Sequence, residues 1–441
     1  MSKNRMKRGD SEEMKPLKDS RDVFNNILTK QVKMSLNPRQ HGLNLNTLVI
    51  GNAGTGKTRS FVLPNIMQMN ASYVIHDCGG EILQKAGKML TEAGYTLKVL
   101  NLVDITKSMR YNPFAYIRNE KDIAKFADVI IANTKGNFGE HSAEKLYLTA
   151  LVGYILSEAH ESEKNIYMLA YMSKYSDYLE DYEEFTDAVD LLFKDLEVKA
   201  PENFAVKQYK KFKLAAGNRK TVNEIICSCK SRLSVFDSAE LQKSTDVDEM
   251  ELDTIGDKKT ALFVISSGFD NRADFLMAMI FEQAVDTLFH RAKISPLPVH
   301  VRFIMDDFVN MIIPGLDKDI ASIRSSDGIS FSLIIQEIEQ LKANYGQTWA
   351  LIAGNCDSML FLGGKDKNTL TFVSEEIGNV SVDELAFMPS ADCVLKVRGH
   401  NPFFCEKYRI ENHQNYRLTG DFDEKNALDI NQKFNNGRII I

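Results

Sequence analysis

This sequence of 441 residues has few cysteines and no excess of positive charge. Its six cysteines are scattered, without a C-x-x-C pair or a histidine at zinc-ligand spacing, so the sequence indicates neither a disulfide framework nor a structural metal site. We therefore expect a reducing compartment such as the cytosol. Lys plus Arg number 54 against 60 Asp plus Glu, for a net charge of −6. This balance excludes binding to nucleic acid or anionic lipid by bulk charge alone, so such binding would need a local basic face.

Long apolar runs are also absent. The chain nowhere offers the roughly 18 consecutive apolar residues of a membrane-spanning helix, and the charged start MSKNRMKRGDSEEMK is not followed by the apolar stretch of a signal peptide. The sequence by itself therefore predicts a soluble polypeptide. With 44% apolar and 26% charged residues it has the composition of a globular protein, and its length is typical of two or three compact units.

Short apolar runs alternate with helix-length gaps near the beginning of the chain. Such runs cover residues 43–50, 71–75 and 96–102, an alternation that predicts a parallel sheet built from βαβ units. Residues 116–250 show helical periodicity instead, and strand-like runs resume near residue 260. The predicted organisation is an N-terminal arm, a first part of a nucleotide-binding domain, an all-α insertion, a second part of that domain and a C-terminal tail, at residues 1–40, 41–115, 116–250, 251–415 and 416–441.

The segment Gly51–Thr58 reads GNAGTGKT and matches G-x-x-x-x-G-K-T between an apolar strand and a helix-forming stretch. This is the context of a phosphate-binding loop, in which glycines let backbone N–H groups turn toward a phosphate. Lys57 would bring its charge to the β- and γ-phosphates, and Thr58 its hydroxyl to Mg²⁺. ATP and Mg²⁺ are the predicted ligands.

A phosphate-binding loop of this kind needs a carboxylate at the end of a neighbouring strand. The run VHVRFIMDDF supplies Asp306, expected to hold Mg²⁺ through its water shell, and Asp307, expected to polarise the attacking water. The alternative is a strand that ends in a solvated Asp-Asp turn. The presence of the phosphate-binding loop at Gly51–Thr58 favours a metal site over a solvated turn at Asp306-Asp307.

Two further residues are weaker candidates. Gln336 ends the apolar run SFSLIIQ and suits a sensor of the γ-phosphate or the attacking water, although a strand-end glutamine that faces solvent is the alternative. Arg324 precedes that run and would act across a subunit boundary as an arginine finger, with an ordinary surface arginine as the alternative. The basic stretch at residues 207–213 would either touch DNA phosphates or form a solvated helix face.

Ten segments in order give the sequence a wider resemblance over residues 43–412. They are GNAGTGKTR, LPNIMQMNASYV, the pair Asp77 and Glu81, YNPF, AVKQYKKF, GDKKTALFVI, the Asp306 strand with Phe308 and Asn310, IIQ with QLKANYG, GNCD and FLGG. Taken together, they resemble the TraG/TraD-like coupling proteins of type IV secretion, in particular those of conjugative elements of Gram-positive bacteria.

The resemblance implies a fold, an assembly and a task. The implied fold class is α/β, with a RecA-like P-loop ATPase core of the FtsK/HerA type and an inserted all-α domain, and the implied assembly is a hexameric ring. The implied partners are the relaxase and other relaxosome proteins, single- and double-stranded DNA, the channel components of type IV secretion, and either a membrane-anchored partner or a removed transmembrane segment. The expected location is the cytoplasm, peripherally at the inner face of the cell membrane.

Site roles carry over by position. The resemblance assigns nucleotide contact to the loop and the residue after it, and catalytic roles to four side chains. The nucleotide-contacting residues are Gly51, Asn52, Ala53, Gly54, Thr55, Gly56, Lys57, Thr58 and Arg59. The metal-binding residues are Thr58 and Asp306, and the catalytic residues are Lys57, Asp307, Gln336 and Arg324.

One departure from the family pattern leaves the function open. The family has Asp-Glu where this chain has Asp306-Asp307, so the expected base is one methylene shorter. The first hypothesis is an ATP-hydrolysing motor that recruits the relaxase–single-stranded DNA complex and delivers it to the transfer channel. The alternatives are a hydrolysis-weak paralogue that acts as a nucleotide-binding relaxase receptor, and a chromosomal DNA translocase of the FtsK/HerA type.

Overall fold

A nine-stranded sheet forms the centre of the molecule. The computed structural model describes residues 11–136, 141–175, 187–267, 274–323, 328–378, 380–430, 434–435 and 438–439. Seven strands of this sheet are parallel: β3 (Thr47–Ile50), β4 (Ser72–Cys78), β5 (Thr96–Asn101), β6 (Thr260–Ser266), β7 (Val301–Met305), β8 (Ile329–Ile335) and β9 (Ser358–Phe361). Two antiparallel strands extend it, β10 (Asp392–Val397) and β11 (Phe403–Glu406).

The strand order places the phosphate loop near the middle of the sheet. The order is β11-β10-β9-β3-β8-β7-β4-β6-β5, so β3 lies between β9 and β8, with β7 one strand further. The parallel strands are almost entirely buried, which explains their continuous apolar runs. Every strand predicted from those runs is present, which confirms the parallel sheet, whereas the antiparallel extension was not predicted.

Helices follow most of the parallel strands. In the described part of the nucleotide-binding core they are α1 (Leu63–Met67), α2 (Glu81–Glu92), α10 (Asp274–Ile294), α11 (Leu316–Ser322), α12 (Ile338–Tyr345), α13 (Trp349–Gly354), α14 (Lys367–Ile377) and α15 (Val382–Ala386). No helix in the described residues is both long and apolar enough to cross a bilayer.

In the described residues between β5 and β6, the chain forms helices joined by loops. The helices there are α3 (Glu120–Asn133), α4 (His141–Glu158), α5 (Ile166–Lys174), α6 (Ala188–Lys199), α7 (Phe204–Ala216), α8 (Arg219–Leu233) and α9 (Ala239–Ser244). The described residues of this stretch contain no strand, as the periodicity predicts. The boundaries given above for the individual domains stay predictions.

The segment expected to be an arm is packed onto the core where the structure describes it. Residues 25–35 form a hairpin of β1 (Asn25–Ile27) and β2 (Lys33–Ser35). Asn65 of α1 binds the Ile27 backbone twice, through Oδ1 and Nδ2, at 2.8 Å each. Strands of three residues are too short for a recognisable period, so this anchoring was not visible in the sequence.

The C-terminal segment crosses the helices next to the phosphate loop. After β11, residues 407–430 run past α1 and α2, where the Gly420 and Leu428 amides bind Lys85 and Gln84 carbonyls. We name residues 407–430 the C-terminal strap. The end of the described chain adds a short pair, β12 (Phe434–Asn435) and β13 (Arg438–Ile439).

Candidate nucleotide-binding site

The segment Gly51–Thr58 turns sharply between β3 and the helix that follows. Gly54 and Gly56 have φ of 77° and 88°, a left-handed conformation in which a Cβ would be strained. The chain then enters a single turn of π-helix at Thr58–Val62, which continues into α1. Successive backbone N–H groups in such a loop, at the start of a helix, form a concave site for an anion.

The structure brings the predicted loop and the predicted acidic strand end together. Thr58 Oγ1 donates a hydrogen bond to Asp306 Oδ2 at 3.1 Å. Lys57 Nζ lies beside the same loop and donates to the Gly51 carbonyl at 2.9 Å. The two lines of sequence reasoning, which began 248 residues apart in the chain, therefore meet at one point.

Asp306 is a buried carboxylate in a polar corner. Burial raises its pKa to about 6, the charge of Asp307 acts in the same direction, and Lys57 and the Thr58 hydroxyl act in the opposite one. Behind it, burial lowers the pKa of His76, so the ring is neutral. His76 Nδ1 donates to the Asp306 carbonyl oxygen, and Nε2 accepts from Ser266 Oγ at 2.7 Å. This ring fixes the backbone that carries the carboxylate.

A second buried carboxylate, Asp77, is the next-to-last residue of the neighbouring strand β4. It accepts from the Ile82 and Leu83 amides at 3.0 and 2.7 Å and so caps the start of α2. Burial raises its pKa to about 7, and the nearby charge of Asp306 adds to the effect. These contacts give Asp77 a structural role as the cap of α2.

Asp307 and Gln336 are in direct contact. Asp307 has φ of 49°, a left-handed conformation that is uncommon for a residue with a side chain. Gln336, which follows β8, donates from Nε2 to Asp307 Oδ1 at 3.0 Å. The sequence predicted a role for each residue, but not that the amide would hold the carboxylate.

Asn52 ties the loop to the neighbouring strand ends. Its Oδ1 accepts from the Lys365 amide at 2.9 Å, and its Nδ2 donates to Glu337 Oε1 at 3.2 Å. An added Cβ on Gly364 would lie 2.6 Å from Asn52 Oδ1, so a larger residue there would displace the Asn52 side chain. The FLGG segment that carried part of the resemblance therefore supports the phosphate loop.

The remaining predicted residues lie elsewhere. The Arg59 side chain pairs with Glu411 and with Asp421, the latter at 3.3 Å, so it faces the C-terminal strap. Arg324 lies outside the described residues. Sequence reasoning missed Lys407, which directly follows β11 and donates from Nζ to the Thr55 carbonyl oxygen at 2.9 Å. No local motif marks it, because its partner lies 352 residues earlier in the chain.

Taken together, the sheet order, the glycine loop and the Thr58–Asp306 contact define a P-loop protein with a RecA-like α/β core. A family model described as "Type IV secretory system Conjugative DNA transfer" matches residues 4–396. The chain belongs to this family. The resemblance to coupling proteins of type IV secretion is therefore confirmed.

Solved structures of similar fold agree with this assignment. The chain is similar to the bacterial conjugative coupling protein TrwBdeltaN70 in its unbound form, with a TM-score of 0.64, 16% identity and coverage of 86% of this chain and 87% of that one. For plasmid coupling protein TrwB in complex with ADP and Mg²⁺, the TM-score is 0.65 at 17% identity, with coverage of 87% of this chain and 88% of that one. For TrwB with the non-hydrolysable ATP analogue ADPNP, the TM-score is 0.64 at 17% identity, with coverage of 87% of this chain and 89% of that one.

The TM-scores over most of both chains establish the fold, and the predicted fold class is confirmed. No curated protein matches the chain.

Proposed function

We propose that this chain is the coupling ATPase of a conjugative type IV secretion system. It would bind ATP with Mg²⁺ at the loop Gly51–Thr58, hydrolyse it, and use the energy to pass a relaxase with its attached single DNA strand to the transfer channel. The family membership supports the setting. The observation that carries the chemistry is the 3.1 Å hydrogen bond between Thr58 and Asp306, since it joins the phosphate loop to a buried carboxylate.

The residues present suit Mg²⁺. This ion prefers oxygen ligands and usually takes one or two from the protein, with the rest from phosphates and water. The protein's share here would be the Thr58 hydroxyl and the Asp306 carboxylate, which are in contact at 3.1 Å. Bound Mg²⁺ would neutralise charge on the phosphates.

The other side chains have separable tasks. Lys57 now binds the Gly51 carbonyl and would move its ammonium to the phosphate oxygens when a nucleotide binds. Asp307 would accept a proton from the attacking water. Gln336 would orient Asp307 through the 3.0 Å hydrogen bond already described. Arg324 remains the proposed finger directed at a neighbouring subunit.

The proposed setting follows from the family and from the predicted domains. The all-α insertion at residues 116–250 would receive cargo proteins, and six copies would form the ring around DNA. The acidic composition is compatible with this, because a ring needs positive charge only along its channel. The chain would act in the cytoplasm at the inner face of the membrane, held there either by a membrane-anchored partner or by a transmembrane segment of its own.

ATP turnover of the wild type, Lys57→Ala and Asp307→Glu, scored together with oligomer size and with or without single-stranded DNA, tests the proposal. We expect turnover that rises with assembly and is lost in Lys57→Ala. Full activity of monomers would contradict the proposed ring. Absence of ATP binding to the wild type would contradict the proposal as a whole.

A second candidate function is a nucleotide-binding relaxase receptor with weak hydrolysis. Two observations favour it: Asp307 is shorter than the glutamate of relatives, and one of its two carboxylate oxygens already accepts from Gln336. A sharp rise of turnover in Asp307→Glu would support this damped form. Unchanged turnover in that variant, at a rate that responds to single-stranded DNA, would favour the motor.

A further inference from the structure

Lys407 is a half-buried cation attached to the phosphate loop from the far end of the chain. Its Nζ lies 2.9 Å from the Thr55 carbonyl oxygen. No carboxylate forms an ion pair with this ammonium in the part of the chain that the structure describes. Burial lowers its pKa, while Asp392 and Cys393 act in the opposite direction. A cation held here without a carboxylate partner needs an explanation.

The backbone around Lys407 is firmly held. Strand β11 pairs with β10 in the register Asp392↔Glu406 and Cys393↔Cys405. The Lys407 amide binds the Ala391 carbonyl at 2.9 Å, and the Glu406 carbonyl accepts from the Lys30 amide at 3.0 Å. The lysine therefore reaches the loop from a fixed base.

The bond to Thr55 constrains a single peptide plane. Because a trans peptide is planar, its C=O and N–H groups point in opposite directions. When Lys407 holds the Thr55 carbonyl on one side, the N–H of Gly56 must face the other side. Gly56 is the residue directly before Lys57 and has φ of 88°. Because glycine has no Cβ, other orientations of this peptide plane are open to it in the absence of a restraint.

Lys57 and Lys407 therefore hold different parts of the loop. Lys57 binds the carbonyls of Gly51 and Asn52 at its beginning, at 2.9 and 3.4 Å. Lys407 binds Thr55 in its second half. The contacts of Lys57 join residues that both belong to the G-x-x-x-x-G-K-T motif, whereas Lys407 reaches Thr55 from outside the motif.

We infer that Lys407 is a positioning residue for the nucleotide phosphates, which presets the peptide between Thr55 and Gly56 so that the Gly56 N–H faces the anion. The inference rests on the proposed nucleotide site. A preset donor stabilises bound ADP and ATP alike, because both carry the inner phosphates, and it leaves the chemical step unchanged. Loss of Lys407 should therefore raise Kd and KM together and leave kcat as it was.

The test uses the full chain with Lys407→Met, which keeps the length and removes the charge, and Lys407→Arg, which restores a donor. Lys259→Met is the matched control, because Lys259 Nζ also donates to a backbone carbonyl, that of Met69 at 3.0 Å. Calorimetry with ADP and with ATP in the presence of Mg²⁺ gives Kd. Steady-state turnover gives KM and kcat, and thermal unfolding without nucleotide gives Tm.

We expect Lys407→Met to weaken both nucleotides about tenfold, the typical effect of one charge-assisted hydrogen bond. Lys407→Arg should recover most of the affinity, and Lys259→Met should bind like the wild type. Three results would each overturn the inference and leave the proposed function standing. They are a wild-type Kd in Lys407→Met, a loss of kcat at constant KM in that variant, and a Lys407→Arg variant that has the wild-type Tm but does not recover binding. If the wild type binds neither nucleotide, both the inference about Lys407 and the proposed function are refuted.

Discussion

His413 of the C-terminal strap should make the attachment of the strap to the phosphate-loop helix dependent on pH. Its Nε2 donates to Gln68 Oε1 at 3.0 Å, and its Nδ1 accepts from the Asn415 amide at 3.1 Å. The contact with Asn415 requires the neutral ring, because protonated Nδ1 would face another donor. Burial, assisted by the charge of Lys33, lowers the pKa to about 4, and Asp22 acts in the opposite direction.

The sign of the effect follows from linkage. Between pH 6.5 and pH 4 the unfolded chain binds the proton and the folded chain does not, so stability is fully present above pH 6.5 and is lost as the pH falls toward 4. Lowering the pKa of His413 from its ordinary value of 6.5 to about 4 corresponds to about 3 kcal/mol in all, of which about 2.5 kcal/mol is lost by pH 4.5.

Urea unfolding at pH 7.5, 6.0 and 4.5 measures this loss when the wild type is compared with His413→Gln. Glutamine keeps a donor for Gln68 and does not titrate, so the stability of the variant should fall less on acidification, by about 2.5 kcal/mol. Subtracting the two curves removes the contributions of His76 and His300, which both proteins retain. Parallel curves would refute the reasoning. Hydrogen exchange at pH 4.5 should show the opening first in the strap.

Two further predictions follow from buried contacts. Gly364→Ala places a methyl group 2.6 Å from Asn52 Oδ1 and should weaken ATP binding measured by calorimetry by about tenfold, whereas Gly354→Ala, where a Cβ meets nothing within 4 Å, should leave it unchanged. The Arg232 side chain pairs at 2.9 Å with Glu144, and both are almost fully buried, so Arg232→Met should lower the free energy of unfolding by about 3–5 kcal/mol in urea. A loss below 1 kcal/mol would show that the pair adds little to the stability of the helical insertion.

The sequence predicted the centre of the site because its signals are local. Gly51–Thr58 is a contiguous motif, and Asp306 and Gln336 each end an apolar run. Since parallel strands present their carboxyl ends at one edge of a sheet, runs recognised separately meet in space. The 3.1 Å contact of Thr58 with Asp306 is the result.

The surroundings of the site could not be predicted in the same way. Lys407 and His413 follow a four-residue edge strand, in a polar stretch without a period that a helix or a longer strand would give. The hairpin at residues 25–35 consists of three-residue strands, and side-chain amides such as that of Asn65 fix it to α1. Contacts of this kind depend on where distant segments come to lie, which composition and spacing do not encode.

The wide separation of the contacts at the phosphate loop has a consequence for how the chain matures. The loop ends at Thr58, yet its partners Asp306 and Lys407 lie 248 and 352 positions after the residues they contact. Contacts of such long range form late, after loop closure has been overcome. During synthesis the loop would therefore leave the ribosome long before its partner residues do. Nucleotide binding would stabilise only the complete, folded chain.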